Sequence, residues 1–376
     1  MKYTKKTNIE TTEMHATWLA VNSVIGCTNG CKYCFLQSTN KNIAKPDIIK
    51  SASEAIDDLV KSKYYLADIP VCLLPNTDAF LNESNMKYLK DLLNEINLRK
   101  IFNPIVLITK KFIPDEFINI LTDFKKNGHE LTVYLSLSGL PQELEPNVNH
   151  EFIKQNFINL YRNNIDVIHY FRPLTPVNST KSRIIEILDF VSKYSKASVV
   201  GGLKIKEDYF ELIKFWPEIL NMKDDCISCD AVWPKEAYNY FFKDHDYNDQ
   251  NIFNTNFCAL MQTLKKPAIS YFNTYDCKKL NYCSAEQRKR CEEAFRKMKK
   301  TITKNDVIYH LNKIGHIVKE DDINIYNNKI KINKVKLKVG DIAYLTFALS
   351  AEIKAENIEN SKYWNSPLKG SKPLVI

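Results

Sequence analysis

Residues 27–37 read CTNGCKYCFLQ, and the thiols of Cys27, Cys31 and Cys34 govern how the rest of the chain is read. Thiolates are the usual ligands of iron–sulfur clusters, and a cubane cluster ordinarily takes four of them. Three local thiols leave one iron of such a cluster open, and an open iron can bind a second molecule directly. A zinc knuckle would need a fourth ligand close by, yet neither Cys nor His occurs between Cys34 and Cys72. Scattered core thiols are the remaining alternative.

Outward from this loop, short apolar runs alternate with longer amphipathic ones. Strands are expected at 16–23, 69–74, 104–110, 131–137, 165–171 and 197–203. Helices are expected at 46–62, 83–98, 114–126, 150–163, 180–195 and 207–215. Pro46 marks one helix start, and Asn127 with Gly128 one helix stop. This alternation predicts an α/β fold of six βα units around a parallel sheet, a partial (βα)6 TIM-like barrel. Catalytic groups in parallel barrels collect at the C-terminal edge of the strands. At that edge stand Asn76, Thr77 and Asp78 after the second strand and Lys110 at the third. Ser136 and Ser138 stand at the fourth, Arg172 at the fifth and Gly201 with Gly202 on the sixth. Each alone is ordinary turn or cap chemistry; together they set hydroxyls, a carboxylate and two cations on one rim.

The C-x3-C-x2-C spacing, with Tyr33 before the third Cys, resembles the signature of the radical S-adenosylmethionine (SAM) enzymes. That resemblance implies a SAM-binding 4Fe-4S cluster on Cys27, Cys31 and Cys34. It also implies reductive cleavage of SAM to a 5′-deoxyadenosyl radical, and an electron donor such as flavodoxin or ferredoxin. NTD at 76–78, ITK at 108–110, YLSLS at 134–138 and LEP at 144–146 resemble the spore photoproduct lyase branch, which includes DNA repair photolyase-like proteins. The resemblance implies that Tyr33, Phe35, Thr77, Asp78, Lys110 and Ser136 approach SAM. Asn76 and Ser138 join them on the rim; Lys110 would face the cofactor carboxylate, and Arg172 would do the same or hold a substrate anion. One position departs from the branch: Pro75 stands where the lyase carries its hydrogen-donating Cys, three residues before Asp78. Cys72, on a strand, reads as a buried core thiol, so dimer reversal of the lyase type is not implied.

The expected organisation is an extension at 1–15, the barrel core at 16–220, a cysteine-rich region at 221–298 and a small α+β module at 299–376. In the cysteine-rich region Cys258, Cys277, Cys283 and Cys291 suit one closed metal site, read as a second, auxiliary 4Fe-4S cluster. Structural zinc and unligated thiols stay open as alternatives, and Cys226 or Cys229 could replace one ligand. Beyond it a helix is expected at 303–313, a hairpin of 317–326 and 329–339 around Asn327 and Asn328, and a helix opening at Gly340 and Asp341. That order is wing-like. The tail, 364–376, reads as loop folding back over the site.

Composition narrows the setting. No apolar signal core opens the chain and no run of about twenty apolar residues occurs, so a cytoplasmic protein without a membrane partner is expected. Ten cysteines in a reducing compartment favour metal ligation over disulfides. A net charge of +9 invites a nucleic-acid reading, but only seven of the 53 basic residues are Arg, the side chain suited to base readout. The substrate expected is a nucleic acid or nucleotide. A peptide or small metabolite is the alternative, and a non-enzymatic metal-binding module is the third reading.

Overall fold

The computed structural model describes residues 11–39, 44–207, 210, 213–244, 250–268, 283–297, 302–326, 329–359 and 372–376. Runs such as IVLIT at Ile105–Thr109 and LTVYL at Leu131–Leu135 are buried at nearly every position. Such runs suit parallel strands covered on both faces. All six expected strands form, as β2 (Leu19–Val21), β3 (Val71–Leu73), β4 (Ile105–Thr109), β5 (Leu131–Leu135), β6 (Asp166–Leu174) and β7 (Ala197–Gly202). Two further strands complete an eight-stranded sheet whose spatial order follows the chain. β1 (Thr12–Met14) pairs antiparallel with β2, inside the stretch expected as an extension. β8 (Asn251–Phe253) pairs parallel with β7. The six expected parallel strands are thus joined by a seventh, drawn from the cysteine-rich stretch. Three residues, NIF, are too few to show a period.

Side chains alternate across the sheet, as a period of two requires. Leu19, Val71, Leu107, Val133 and Phe171 pack under helices α1 (Ala52–Lys61), α2 (Glu83–Leu98), α3 (Asp115–Lys126), α4 (His150–Arg162) and α5 (Lys181–Val191). Ala20, Cys72, Val106, Tyr134, Ile168 and Val199 face the bore, which Phe257 and Leu260 of α6 (Asn256–Thr263) help to fill. Cys72 is thus a core thiol.

α1 starts later than expected. Ser51 and Glu54 form a reciprocal capping box that fixes its N-terminus, and Asp47–Ile48 pairs instead as a short strand with Val24–Ile25. The helix expected at 207–215 falls partly on residues 208, 209, 211 and 212, which lie outside the described residues.

After α7 (Ala285–Lys297), the C-terminal module opens with α8 (Lys304–Lys313), capped by Thr303 and Asp306. β9 (Ile323–Tyr326) and β10 (Lys329–Leu337) form the expected antiparallel pair; Asn327 and Asn328 lie outside the described residues. After α9 (Val339–Leu349) comes an unexpected third strand, β11 (Glu352–Ile358), parallel to β10. Asp341 ties the module to the core. It is fully buried and accepts hydrogen bonds from the Tyr64 hydroxyl at 2.7 Å and the Lys338 backbone N–H at 2.8 Å, with His316 Nε2 at 2.9 Å. The last residues, Leu374–Val375, pair with Val232–Trp233 beside β7. Among the described residues no helix is long and apolar enough to cross a membrane.

Candidate active site

The C-terminal ends of β2 to β7 share one edge, where a cavity of about 830 Å³ opens. Cys27, Cys31 and Cys34 line it, on the loop that follows β2 and before a 3-10 turn at Phe35–Thr39. The loop is clamped from two sides. Thr77 donates to the Gly26 carbonyl at 2.6 Å, Lys32 N–H to the Leu144 carbonyl at 2.9 Å, and the Asn147 amide to the Thr28 carbonyl at 2.8 Å. Gly26 is obligatory there: its φ is +106°, and a Cβ would lie 2.8 Å from the Lys45 carbonyl oxygen.

Among the described residues, no three His, Cys, Asp or Glu side chains close around a single metal-ion position. The fit of a cluster therefore rests on the donor set and its surroundings. The donors are three thiols near enough to feel one another's charge. Burial pushes Cys27 and Cys31 up to about 12, so both are protonated in the absence of a compensating cation. Metal ligation would release those protons and supply the missing positive charge. In the same loop the buried Asn29 borders the cavity, and its Oδ1 has no hydrogen-bond partner among the described residues. A buried acceptor without a partner is costly, and a ligand donor would satisfy it. Three thiols and a waiting acceptor fit a cluster with one open iron.

Behind the loop lies a carboxylate that the sequence reading did not single out, Glu145. It is 1 % exposed. Its Oε1 accepts from the Tyr33 hydroxyl and from Lys110 Nζ at 2.8 Å; its Oε2 accepts from the Ser138 hydroxyl at 2.6 Å and faces His150 Nε2 at 2.9 Å. Burial alone would raise this carboxyl, but the Lys110 charge and the bonds from His150 and Ser138 hold it down at about 2. Burial works against the Lys110 ammonium, yet Glu145 raises it above its ordinary value. The two shifts agree on an ionised pair.

The expected rim residues take distinct places. Tyr33, Phe35, Asn76, Thr77, Asp78, Lys110, Ser136 and Arg172 all border the cavity. Ser138 does not: it is fully buried, and its hydroxyl is given to Glu145. Lys110 also donates to the Ser136 hydroxyl oxygen, at 2.6 Å. Asp78, 3 % exposed, accepts from the Thr109 hydroxyl at 2.7 Å and from the backbone N–H groups of Lys110 at 2.8 Å and Phe80 at 3.0 Å. It stitches two strand ends together. Burial pushes its pKa up, against those bonds.

Of the expected second metal set, Cys258, Cys283 and Cys291 all belong to one large apolar cluster against the bore, but among the described residues they form no metal-holding group, and Cys277 lies outside the described residues. Cys226 and Cys229 belong to a different cluster, with Leu203, Phe210 and Trp216. The Cys291 sulfur accepts from the Ala268 N–H at 3.2 Å and the Gln287 amide at 3.5 Å.

Fold and site together define an open parallel α/β barrel with a three-cysteine loop clamped over the C-terminal edge of its strands. No protein-family model matches the chain, and no curated protein does. Among solved structures the chain is similar to spore photoproduct lyase complexed with dinucleoside spore photoproduct, at 12 % identity and a TM-score of 0.46, over 56 % of this chain and 64 % of the lyase. It is also similar to a radical SAM methyltransferase from Sphaerobacter thermophilus, at 14 % identity and a TM-score of 0.38, over 56 % of this chain and 66 % of that one. Streptococcus suis SuiB bound to precursor peptide SuiA matches at 14 % identity and a TM-score of 0.43, over 65 % of this chain and 50 % of SuiB. The chain thus spans just under two thirds of the lyase it matches. At these identities and TM-scores none of the three fixes the chemistry of this chain.

Proposed function

We propose that the chain is a radical SAM enzyme. The observation that carries this reading is the clamped loop bearing Cys27, Cys31 and Cys34 on the wall of a cavity large enough for a second molecule, with Asn29 Oδ1 waiting for a donor. Cys27, Cys31 and Cys34 would hold a 4Fe-4S cluster, which would supply the electron for cleaving SAM to methionine and a 5′-deoxyadenosyl radical able to take a hydrogen atom from the substrate. The chain's own residues do the rest. Asn29 would accept from the amino group of SAM, Tyr33 and Phe35 would wall the cofactor, and Asp78 and Glu145 hold the strand ends and the Lys110 head in place. In anaerobically reconstituted, dithionite-reduced protein, SAM should yield 5′-deoxyadenosine. A Cys31→Ala variant that cleaves SAM at the wild-type rate would refute the reading.

For the substrate, the net charge of +9 and the cations Arg172 and Lys204 on the cavity wall support a nucleic acid or nucleotide. Binding of DNA or RNA through phosphates should then fall steeply as salt rises. The second reading, a peptide or small metabolite processed with help from an auxiliary cluster, draws its support from the spacing of Cys258, Cys277, Cys283 and Cys291 in the chain. Absence of any DNA or RNA binding at low salt would favour it.

A further inference from the structure

Among the described residues, three Lys and Arg side chains line the cavity: Lys110, Arg172 and Lys204. Lys110 is neutralised by Glu145. Lys204 Nζ is 3.2 Å from Asp230 Oδ1. Arg172 has no carboxylate partner among the described residues. Its guanidinium lies over the Tyr170 ring, 4.9 Å from the centroid, and against Gly201, where a Cβ would come within 3.4 Å of Nε. The missing side chain at 201 leaves the planar face of the guanidinium room, and Tyr170 fixes its tilt. Burial, opposed by Asp230, depresses the Lys204 pKa, and the Arg172 charge adds to that fall, so the two cations feel one another. A planar, oriented guanidinium with five N–H donors and no carboxylate partner among the described residues suits bidentate oxyanion recognition. Beside it Asn256, at the start of α6, borders the cavity with Oδ1 unpartnered among the described residues, while its amide N–H reaches the Tyr170 hydroxyl at 3.4 Å.

We infer that Arg172, aligned by Tyr170 and Gly201, forms a substrate subsite for an oxyanion, with Asn256 accepting from an N–H donor of the same ligand. Naming that ligand the substrate rests on the radical SAM reading, in which the cysteine loop, Asn29 and Lys110 serve SAM and Arg172 is left to the substrate anion. A cavity of about 830 Å³ lies toward the upper end of the range of about 300–1,000 Å³ usual for small-molecule sites, which leaves space for a second ligand. The oxyanion is a phosphate or a carboxylate; the subsite chemistry is the same for both.

The test is calorimetric titration of reconstituted, SAM-loaded protein with thymidine 5′-monophosphate, inorganic pyrophosphate and N-acetylglycine. At least one should bind, and Arg172→Gln should weaken that binding tenfold or more. Arg172→Lys, which keeps the charge and loses the fork, should weaken it severalfold and serves if the Gln variant does not fold. Binding of the phosphates alone assigns a phosphoryl substrate, and binding of N-acetylglycine alone a carboxylate. No binding by any probe overturns the inference, as does binding indifferent to both Arg172 variants, or a loss confined to SAM affinity. The underlying reading fails separately: a protein that holds no iron and cleaves no SAM sinks it whatever the probes do.

Discussion

Lys110 Nζ lies 2.8 Å from Glu145 Oε1, and this pair joins the edge of β4 to the segment that clamps the cysteine loop. Both groups are largely withdrawn from water, at 17 % and 1 % side-chain exposure. Breaking a buried pair by removing one partner strands the other charge and costs about 3–5 kcal/mol. Lys110→Met and Glu145→Gln should each fall in that range by anaerobic urea unfolding of the metal-loaded protein. The double variant should cost less than the sum, by about 0.5–3 kcal/mol. Strict additivity would show that the pair contributes nothing and that Tyr33, Ser138 and His150 hold Glu145 by themselves.

A second buried group sets a pH dependence of stability. His169 on β6 is fully buried, with Nε2–H donating to the Leu137 carbonyl at 2.9 Å and Nδ1 accepting from the Ser198 hydroxyl at 2.8 Å. Burial drops its pKa from 6.5 to about 4, against the help of the Leu137 bond. The unfolded chain therefore binds a proton between these values that the folded chain refuses. Stability from this site is complete above about pH 6.5 and is lost as pH falls toward 4, with an end-to-end effect on the order of 3 kcal/mol. Urea unfolding at pH 7 and pH 5 should show the decline in wild type and a flatter profile in His169→Gln. Equal slopes would remove His169 as the source.

Much of this fold could be read from sequence because parallel strands buried on both faces leave unbroken apolar runs, as at Ile105–Thr109 and Leu131–Leu135. β8 escaped notice for the opposite reason, as three residues carry no period. The cysteine loop was legible through spacing alone. Glu145 was not: LEP reads as a turn before α4, and only folding brings Lys110, thirty-five residues upstream, and Tyr33 onto its carboxylate. The one signal that could have found it was that LEP already stood among the motifs shared with the lyase branch. Ser138 was placed on the rim because it stands at the end of the fourth strand, yet its hydroxyl turns inward to Glu145 behind the wall.

The expected auxiliary site is tested by a metal count. Two cubanes would give about eight irons per chain, and Cys291→Ala should lower the count to about four if that thiol is a ligand. The N–H donors from Ala268 and Gln287 already aimed at its sulfur suit a thiolate ligand. About four irons with one zinc in the wild type would select structural zinc instead. About four irons and no zinc would leave these cysteines as unligated thiols.

Asn29 separates function from stability. Its Oδ1 is buried without a partner among the described residues, so the folded chain carries the desolvation penalty of that acceptor, about 1–3 kcal/mol. Asn29→Ala removes the penalty together with the acceptor. Its unfolding free energy should match or exceed that of wild type, unlike most changes at a buried position. SAM affinity should move the other way. A hydrogen bond to a charged ammonium contributes about 1.5–3 kcal/mol, which corresponds to a loss of about ten- to a hundredfold in binding. Paired measurements of urea unfolding and SAM titration on the one variant decide the matter. A destabilised Asn29→Ala with intact SAM affinity would make this residue a structural prop of the loop, and the orphaned acceptor would no longer support a cofactor beside it.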